Sequence, residues 1–233
     1  MWLYYRFLLS YRDVEELLAE RGIAVSYETI RRWSRKFGQR FADGVRRRRP
    51  RPGDKWHVDE LQLKINGRKH WLWRAVDQDG IVLDILVQSR RNQEAAETFF
   101  RRVVDGHGYQ PRVVITDKLA SYPPAVRRVL PGVEHRRHKG LNNRAENSHQ
   151  PTRRRERVMQ RFKSPEQAQR FLAAFGPIRQ HFCPRRHLLS APCYRQILAS
   201  RFETWRAIAT PAAYPPGAAE LRPRVLHTPL RLT

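Results

Sequence analysis

Apolar residues recur at helical spacing near the start of the chain, where they predict two helices joined by a short turn. Ser10 and Asp13 have the spacing of a capping box at the start of the first helix, and Gly22 follows its last apolar position. Ser26 is placed to cap the second helix. Residues 10–38 therefore predict a helix-turn-helix.

The second predicted helix has an apolar face and a basic face. Ile30, Trp33 and Phe37 fall on the apolar face at helical spacing. A recognition helix in a DNA major groove needs basic residues on its other face, for base edges and phosphates. An ordinary helical hairpin with a solvated charged face fits the same pattern. The outward basic residues are Arg31, Arg32, Arg35 and Lys36.

A basic stretch that contains prolines follows the helix-turn-helix, at residues 46–54. Pro50 and Pro52 prevent a continuous helix or a central strand, so the stretch predicts a linker. Arg47 and Arg48 are expected to contact the DNA backbone from this linker.

Alternating apolar positions replace the helical period from Lys55 onward. Three strand-like runs cover residues 56–65, 69–77 and 81–88. Asn66-Gly67 and Asp79-Gly80 lie between the runs and predict tight turns. The three runs therefore predict an antiparallel meander.

The elements predicted after the meander indicate which fold it belongs to. A helix is predicted near residues 92–106, a strand at 112–117, a helix near 119–129, a strand around 133–135, and then a helix that carries Glu146. This order is that of the ribonuclease H-like α/β fold, with a mixed five-stranded sheet in which the first and fourth strands are parallel neighbours.

The rest of the chain completes the predicted domain organisation. Periodic apolar positions predict further helices as far as residue 207, and five prolines beyond it predict a flexible tail. The predicted segments are an all-α helix-turn-helix domain at 1–45, a basic linker at 46–54, the catalytic core at 55–160, C-terminal helices at 161–207 and the tail at 208–233.

The charge of the chain indicates a polyanionic partner. Its 46 Lys and Arg residues outnumber 22 Asp and Glu residues, for a formal charge of +24. A hydrophobic content of 40% with six Trp exceeds what a charged packaging protein needs. No apolar run approaches the roughly 18 residues of a membrane span, so we expect a soluble, cytoplasmic protein without a membrane partner.

Three acidic residues lie where a phosphoryl-transfer site would need them. Asp59 is inside an apolar strand, which is costly unless the carboxylate is paired or binds metal. Asp117 ends the fourth strand, so it is expected to lie across the ~4.8 Å strand spacing from Asp59. Glu146 would come from a helix at the sheet edge. The three carboxylates predict a site for two Mg²⁺ ions, with Mn²⁺ as a substitute.

Two other acidic residues are possible substitutes for these ligands, Glu60 and Asp77. By strand alternation Glu60 is expected to face the other side of the sheet from Asp59.

The chain resembles the DDE transposases of bacterial insertion sequences, and among them insertion-sequence family six. The similarity is carried by the helix-turn-helix segment 10–18, by Trp56-His57-Val58-Asp59-Glu60, by Ile115-Thr116-Asp117 and by the segment 141–147 around Glu146. The resemblance implies that Asp59, Asp117 and Glu146 form the catalytic DDE triad.

The resemblance also implies a contact with DNA. Arg153 matches a basic residue seven positions after the Glu, about two helical turns on, where it would hold a phosphate of the transposon end. Pro151 lies between Glu146 and Arg153 and is expected to kink or restart this helix. Residues 1–6 read as the end of a helix that relatives begin further upstream.

The implied activity is binding of the terminal inverted repeats, Mg²⁺-dependent strand cleavage and strand transfer by a replicative pathway. The partner is double-stranded DNA, and joining two ends requires at least a homodimer. Two other functions share parts of the pattern: a non-enzymatic DNA-binding regulator, and a ribonuclease H-type nuclease or resolvase.

Overall fold

The computed structural model describes residues 1–138 and 140–210, which divide into two compact units. The helical unit combines Met1–Arg48 with the described residues from Pro177 to Thr210. The second unit is Arg49–Gly176, which contains most of the predicted catalytic core and is called the catalytic unit. Within the described residues, no helix has the length and apolar character needed to cross a membrane.

The helical unit begins with α1 (Trp2–Arg6), α2 (Tyr11–Ala19) and α3 (Tyr27–Arg48). Ser10 and Asp13 form the predicted capping box: the Asp13 amide donates to Ser10 Oγ at 3.1 Å, and the Ser10 amide donates to Asp13 Oδ2 at 2.8 Å. Ser26 Oγ accepts from the Thr29 amide at 3.3 Å, as expected of an N-terminal cap.

Helix α3 is longer than its sequence pattern predicted. It continues through residues 46–48, which were predicted to be linker, because arginine is a good helix former and the first proline comes only at Pro50. Arg47 and Arg48 are exposed on its last turn. The prolines therefore end the helix, and the arginine run belongs to it.

The predicted C-terminal helices are present, and the last one ends at Ala209, slightly beyond the predicted end at residue 207. They are α7 (Pro165–His181) and α8 (Ala191–Ala209), and α8 packs on α3 within the helical unit. Ile208 is buried, and a Cβ on Gly44 would meet its Cγ2 at 2.9 Å, so glycine permits the two helices to approach. Residue 208 thus belongs to α8 and not to a tail. The remainder of the predicted tail, residues 211–233, lies outside the described residues.

The catalytic unit is built on a five-stranded sheet of order β3-β2-β1-β4-β5. Its meander turns at Asn66-Gly67, where both residues have positive φ of 49° and 78°, the conformation that a two-residue hairpin requires. The strands are β1 (Lys55–Ile65), β2 (Arg68–Asp77), β3 (Val82–Gln88), β4 (Val113–Thr116) and β5 (Glu134–Arg137).

Strand directions define the fold. Strand β1 pairs antiparallel with β2 and parallel with β4, and β5 continues the parallel side. Crossovers are made by α4 (Gln93–His107) and α5 (Tyr122–Val129), and α6 (Asn143–Val158) follows β5. This is the ribonuclease H-like fold, as predicted.

The two faces of the sheet differ in chemistry. Val58 and Trp73 enter a closely packed core formed with α4 and α5, which includes Phe99, Phe100 and Tyr122. Asp59 and Arg74 alternate with these residues along β1 and β2 and contact α6 on the other face. One face of the sheet therefore holds the apolar core, and the other positions polar groups.

Strand β3 is an edge strand whose backbone is covered by a side chain. Gln169, on α7, accepts from the Val87 amide at 2.8 Å and donates to the Ile85 carbonyl at 3.2 Å. Its amide group thus takes the place of a neighbouring strand at this point.

Candidate active site

Parallel pairing of β1 with β4 brings Asp59 and Asp117 together. The ladder ends at Val58 opposite Thr116, and Asp59 and Asp117 are the next residues on each strand. Carboxylate oxygens of Asp59, Asp117 and Glu60 lie within 4.8 Å of one another. The structure thus brings two of the three predicted ligands together, with Glu60 beside them.

The Asp59 carboxylate is destabilised by its surroundings. Burial and the nearby negative charge of Asp117 raise the pKa of Asp59 to about 6. Arg91 and Arg153 act in the opposite direction and favour the ionised form. A carboxylate whose pKa is raised by burial and by a like charge is a candidate for a functional residue.

Glu60 faces the other side of the sheet from Asp59, as strand alternation predicts, but its carboxylate still reaches the site. Its side chain leaves β1 on the core side, where Tyr122 donates a hydrogen bond to Oε2 and Arg91 forms an ion pair with Oε1. Only 1% of the Glu60 side chain is exposed, and this burial raises its pKa. Because the side chain is long and β4 has already ended, its carboxylate still reaches the Asp59 and Asp117 group.

Glu146 lies on the wall of the same cleft. A cavity of about 920 Å³ is lined by Asp59, Asp117, Glu146 and Arg153 among others. Glu146 is exposed, and its carboxylate is not part of the cluster that Asp59, Asp117 and Glu60 form. The structure therefore places the third predicted ligand at the site without bringing it into contact with the other two.

Helix α6 passes through Pro151 without a break, so the expected restart of the helix there is wrong. Arg74, which is 4% exposed on β2, donates to the Ser148 carbonyl and, at 2.6 Å, to Thr152 Oγ1. These contacts fix the helix on both sides of the proline. Glu146 and Arg153 consequently lie along one continuous helix and line one cleft.

The start of α6 is also attached to β1. Asn142, in a short 3₁₀ turn before the helix, is buried, and its Nδ2 donates to the Val58 carbonyl at 2.9 Å. The bond joins the N-terminus of α6 to the residue before Asp59. It therefore sets the position of the helix relative to the carboxylates.

His149 is a buried residue of α6 that faces Asp59. Its Nε2 lies 3.3 Å from Asp59 Oδ2, but the orientation is outside hydrogen-bond geometry. Burial and the positive charges of Arg74 and Arg153 lower the pKa of His149 well below its usual value, so the ring is neutral. The contact is therefore one between a neutral imidazole and a carboxylate, and not an ion pair.

Sequence reasoning missed Arg74, Arg91, Lys118 and His149. Only Arg74 could have been found from the sequence. Counting residues in both directions from the Asn66-Gly67 turn pairs Arg74 with Asp59. The others approach the carboxylates only through the packing of separate elements, which spacing along the chain does not report.

The predicted DNA-binding residues of the helical unit are exposed on α3. Arg31 donates both Nε and Nη2 to Glu28, with a shortest distance of 2.8 Å, so part of its hydrogen-bonding capacity is already used. The other predicted contacts on the exposed surface of this helix are Arg32, Arg35, Lys36, Arg47 and Arg48.

The sequence model of the DDE domain of IS240-type transposases matches residues 53–184, which is more than half of the chain. The chain therefore belongs to the DDE transposases, which are polynucleotidyl transferases, and within them to insertion-sequence family six.

Two individual relatives are also transposases of insertion sequence elements. The chain is 34% identical over 151 residues to a Staphylococcus aureus transposase for the insertion sequence-like element IS431mec, covering 63% of this chain and 67% of the relative. It is 33% identical over 151 residues to a transposase for insertion sequence element IS257 in transposon Tn4003 of the same species, with equal coverage. A solved structure of the HTLV-2 integrase catalytic core domain with magnesium aligns at a TM-score of 0.42 and 16% identity, covering 53% of this chain and 84% of that one.

Proposed function

We propose that the chain binds the terminal inverted repeats of an insertion sequence and catalyses divalent metal-dependent DNA cleavage and strand transfer. The observation that carries the proposal is the placement of Asp59 and Asp117 as neighbours in register, with Glu146 on the wall of the same cleft. Carboxylates concentrated at one site in a chain of charge +24 suit a substrate made of phosphodiesters.

The donor set fits a hard divalent cation. Asp59 and Asp117 offer carboxylate oxygens close together. Burial and the negative charge of Asp117 raise the pKa of Asp59, and a cation between the two carboxylates would offset both effects. Asp59, Asp117 and Glu146 would hold two Mg²⁺ ions, for which Mn²⁺ can substitute. Bound there, the ions would activate the attacking oxygen and stabilise the leaving oxygen.

The chain's own residues would position the DNA for two displacements. In cleavage, water attacks the phosphodiester at the end of the element and the bond from phosphorus to the 3′ oxygen breaks. In joining, the freed 3′-hydroxyl attacks a target phosphodiester and displaces its 3′ oxygen. In each step the attacking oxygen loses a proton and the leaving oxygen gains one. Arg153 would hold a phosphate beside Glu146.

The helical unit would supply recognition of the ends. Arg32, Arg35 and Lys36 lie exposed on α3, where they can contact bases and phosphates of a major groove. Arg47 and Arg48 would add backbone contacts. Because two ends must be joined, the active complex needs at least two copies of the chain.

The test is joining of a pre-nicked terminal-repeat duplex to plasmid DNA by the purified full chain with Mg²⁺. We expect Asp59→Asn, Asp117→Asn and Glu146→Gln each to retain less than about one per cent of wild-type joining while end binding stays nearly intact. Chelation of the metal should abolish joining by the wild type. Glu156→Gln is the matched control, because Glu156 is on α6 but does not line the cleft.

Three outcomes would contradict the proposal. Joining above that level by one of the three variants would show that its residue is not a required ligand. Specific binding without metal-dependent chemistry in the wild type would favour the regulator. Metal-dependent cutting without preference for the terminal repeat would favour the nuclease.

A further inference from the structure

Basic side chains reach the cleft from separate parts of the catalytic unit. Arg153 comes from α6, Lys118 from the segment after β4, and Arg91 from the connection between β3 and α4. Arg91 lies on the core side of the sheet with Glu60, whereas α6 covers the other side. The carboxylates therefore have a basic side chain near them on each side of the sheet.

Arg91 is held in place by two neighbours. Its Nε donates to Glu60 Oε1 at 2.7 Å and its Nη2 pairs with the same oxygen, while the guanidinium carbon lies 4.7 Å from the centre of the Trp71 ring. Glu60 is fixed in turn by the buried Tyr122 hydroxyl. An unrestrained arginine loses rotamer entropy when it is immobilised by a ligand, and much of that loss has already occurred here.

The simplest role for Arg91 is that of a counter-ion to the buried Glu60. That role accounts for Nε and Nη2, but within the described part of the chain Nη1 has no protein partner. The Arg91 side chain is 37% exposed, whereas the Glu60 side chain is 1% exposed. Arg91 thus has a donor to spare where it lines the cleft, and the planar guanidinium fork matches the geometry of a phosphate.

Resting on the proposed function, we propose that Arg91 binds a phosphodiester of the DNA strand that enters the cleft. With Arg153 on the other side of the sheet, it would hold that strand across the carboxylates. Glu60 acts through Arg91: its carboxylate orients the guanidinium and neutralises part of the guanidinium charge. The phosphodiester can belong to the transposon end or to the target DNA. Binding measurements on the two kinds of duplex distinguish these sources.

The experiment compares wild type with Arg91→Lys, which keeps a positive charge beside Glu60 and so protects the fold. Arg90→Lys is the matched control, because the adjacent Arg90 is 74% exposed, pairs with Glu94 and does not line the cleft. Binding is measured to duplexes that each carry one uncharged methylphosphonate. One series places it along the terminal-repeat strand, and a second along a target duplex. Thermal midpoints are recorded for all proteins.

We expect one position at which methylphosphonate weakens wild type and Arg90→Lys about tenfold but weakens Arg91→Lys distinctly less, because a lysine ammonium cannot reproduce the planar two-point contact of the guanidinium. The series that contains this position identifies the source of the phosphodiester. Equal sensitivity of Arg91→Lys and wild type at every position in both series would overturn the proposal. Because binding requires no chemistry, failure of metal-dependent joining would refute the proposed function separately.

Discussion

The attachment of α6 to the sheet gives a prediction that can be worked out in detail. Thr152 is fully buried and accepts a hydrogen bond from the Arg74 guanidinium at 2.6 Å. Thr152→Val keeps the shape of the side chain and replaces the hydroxyl by a methyl group, so Arg74 loses this acceptor. A hydrogen bond to a charged group contributes about 1.5–3 kcal/mol, so the variant should lose about 2 kcal/mol of stability in α6.

Hydrogen exchange of the full chain measures this loss where it occurs. A decrease of about 2 kcal/mol corresponds to roughly thirtyfold faster exchange of the protected amides of α6. Ser148→Ala is the control, because Ser148 Oγ donates to Ala145 of its own helix and the backbone carbonyl that Arg74 contacts is retained. We expect the control to exchange as the wild type does.

Two results would refute this reasoning. If Thr152→Val exchanged like the wild type, the bond to Arg74 would not stabilise α6. If both variants accelerated exchange equally, the loss would reflect a general perturbation of α6 and not the attachment to β2.

Three further predictions concern the site and the helical unit. His149→Phe should raise the Mn²⁺ dissociation constant measured by calorimetry about 10–100-fold, because it removes the imidazole that lies 3.3 Å from the proposed ligand Asp59; unchanged affinity would exclude a role of His149 in metal binding. Ile208→Ala should lower the free energy of unfolding by about 2–4 kcal/mol because it leaves a cavity beside Gly44, and an unchanged urea midpoint would contradict that packing. Arg32→Ala should weaken terminal-repeat binding more than Arg31→Ala does, since Arg31 is already bonded to Glu28; equal losses in a titration would show that this pair opens on DNA.

Local signals were sufficient to predict the sheet and two of the carboxylates. Asn-Gly and Asp-Gly turns fix the hairpin register, and alternation then identifies the faces of each strand. Asp59 and Asp117 could be placed together because parallel strands in register bring their ends to one edge. No such rule connects Glu146 to them, because a helix can approach a sheet at many angles.

The differences from the sequence prediction arise where tertiary contacts outweigh local preference. Pro151 removes one helical hydrogen bond, but Arg74 secures the helix on both sides of it. The C-terminal helix α8 joins α3 through a glycine whose small size matters only when Ile208 faces it. Such pairings depend on residues far apart in the chain, so periodicity alone does not reveal them.

The amide of Gln169 has a consequence for how copies of this chain can associate. An open strand edge is a template for pairing with another molecule, and a repeated contact of that kind produces open-ended polymers. Gln169 occupies part of the β3 edge, and β5 at the opposite edge is short and reads Glu-His-Arg-Arg. Growth of a shared sheet is therefore disfavoured on both sides. Copies of the chain would then associate through side-chain surfaces, and contacts of that kind can close into a finite assembly.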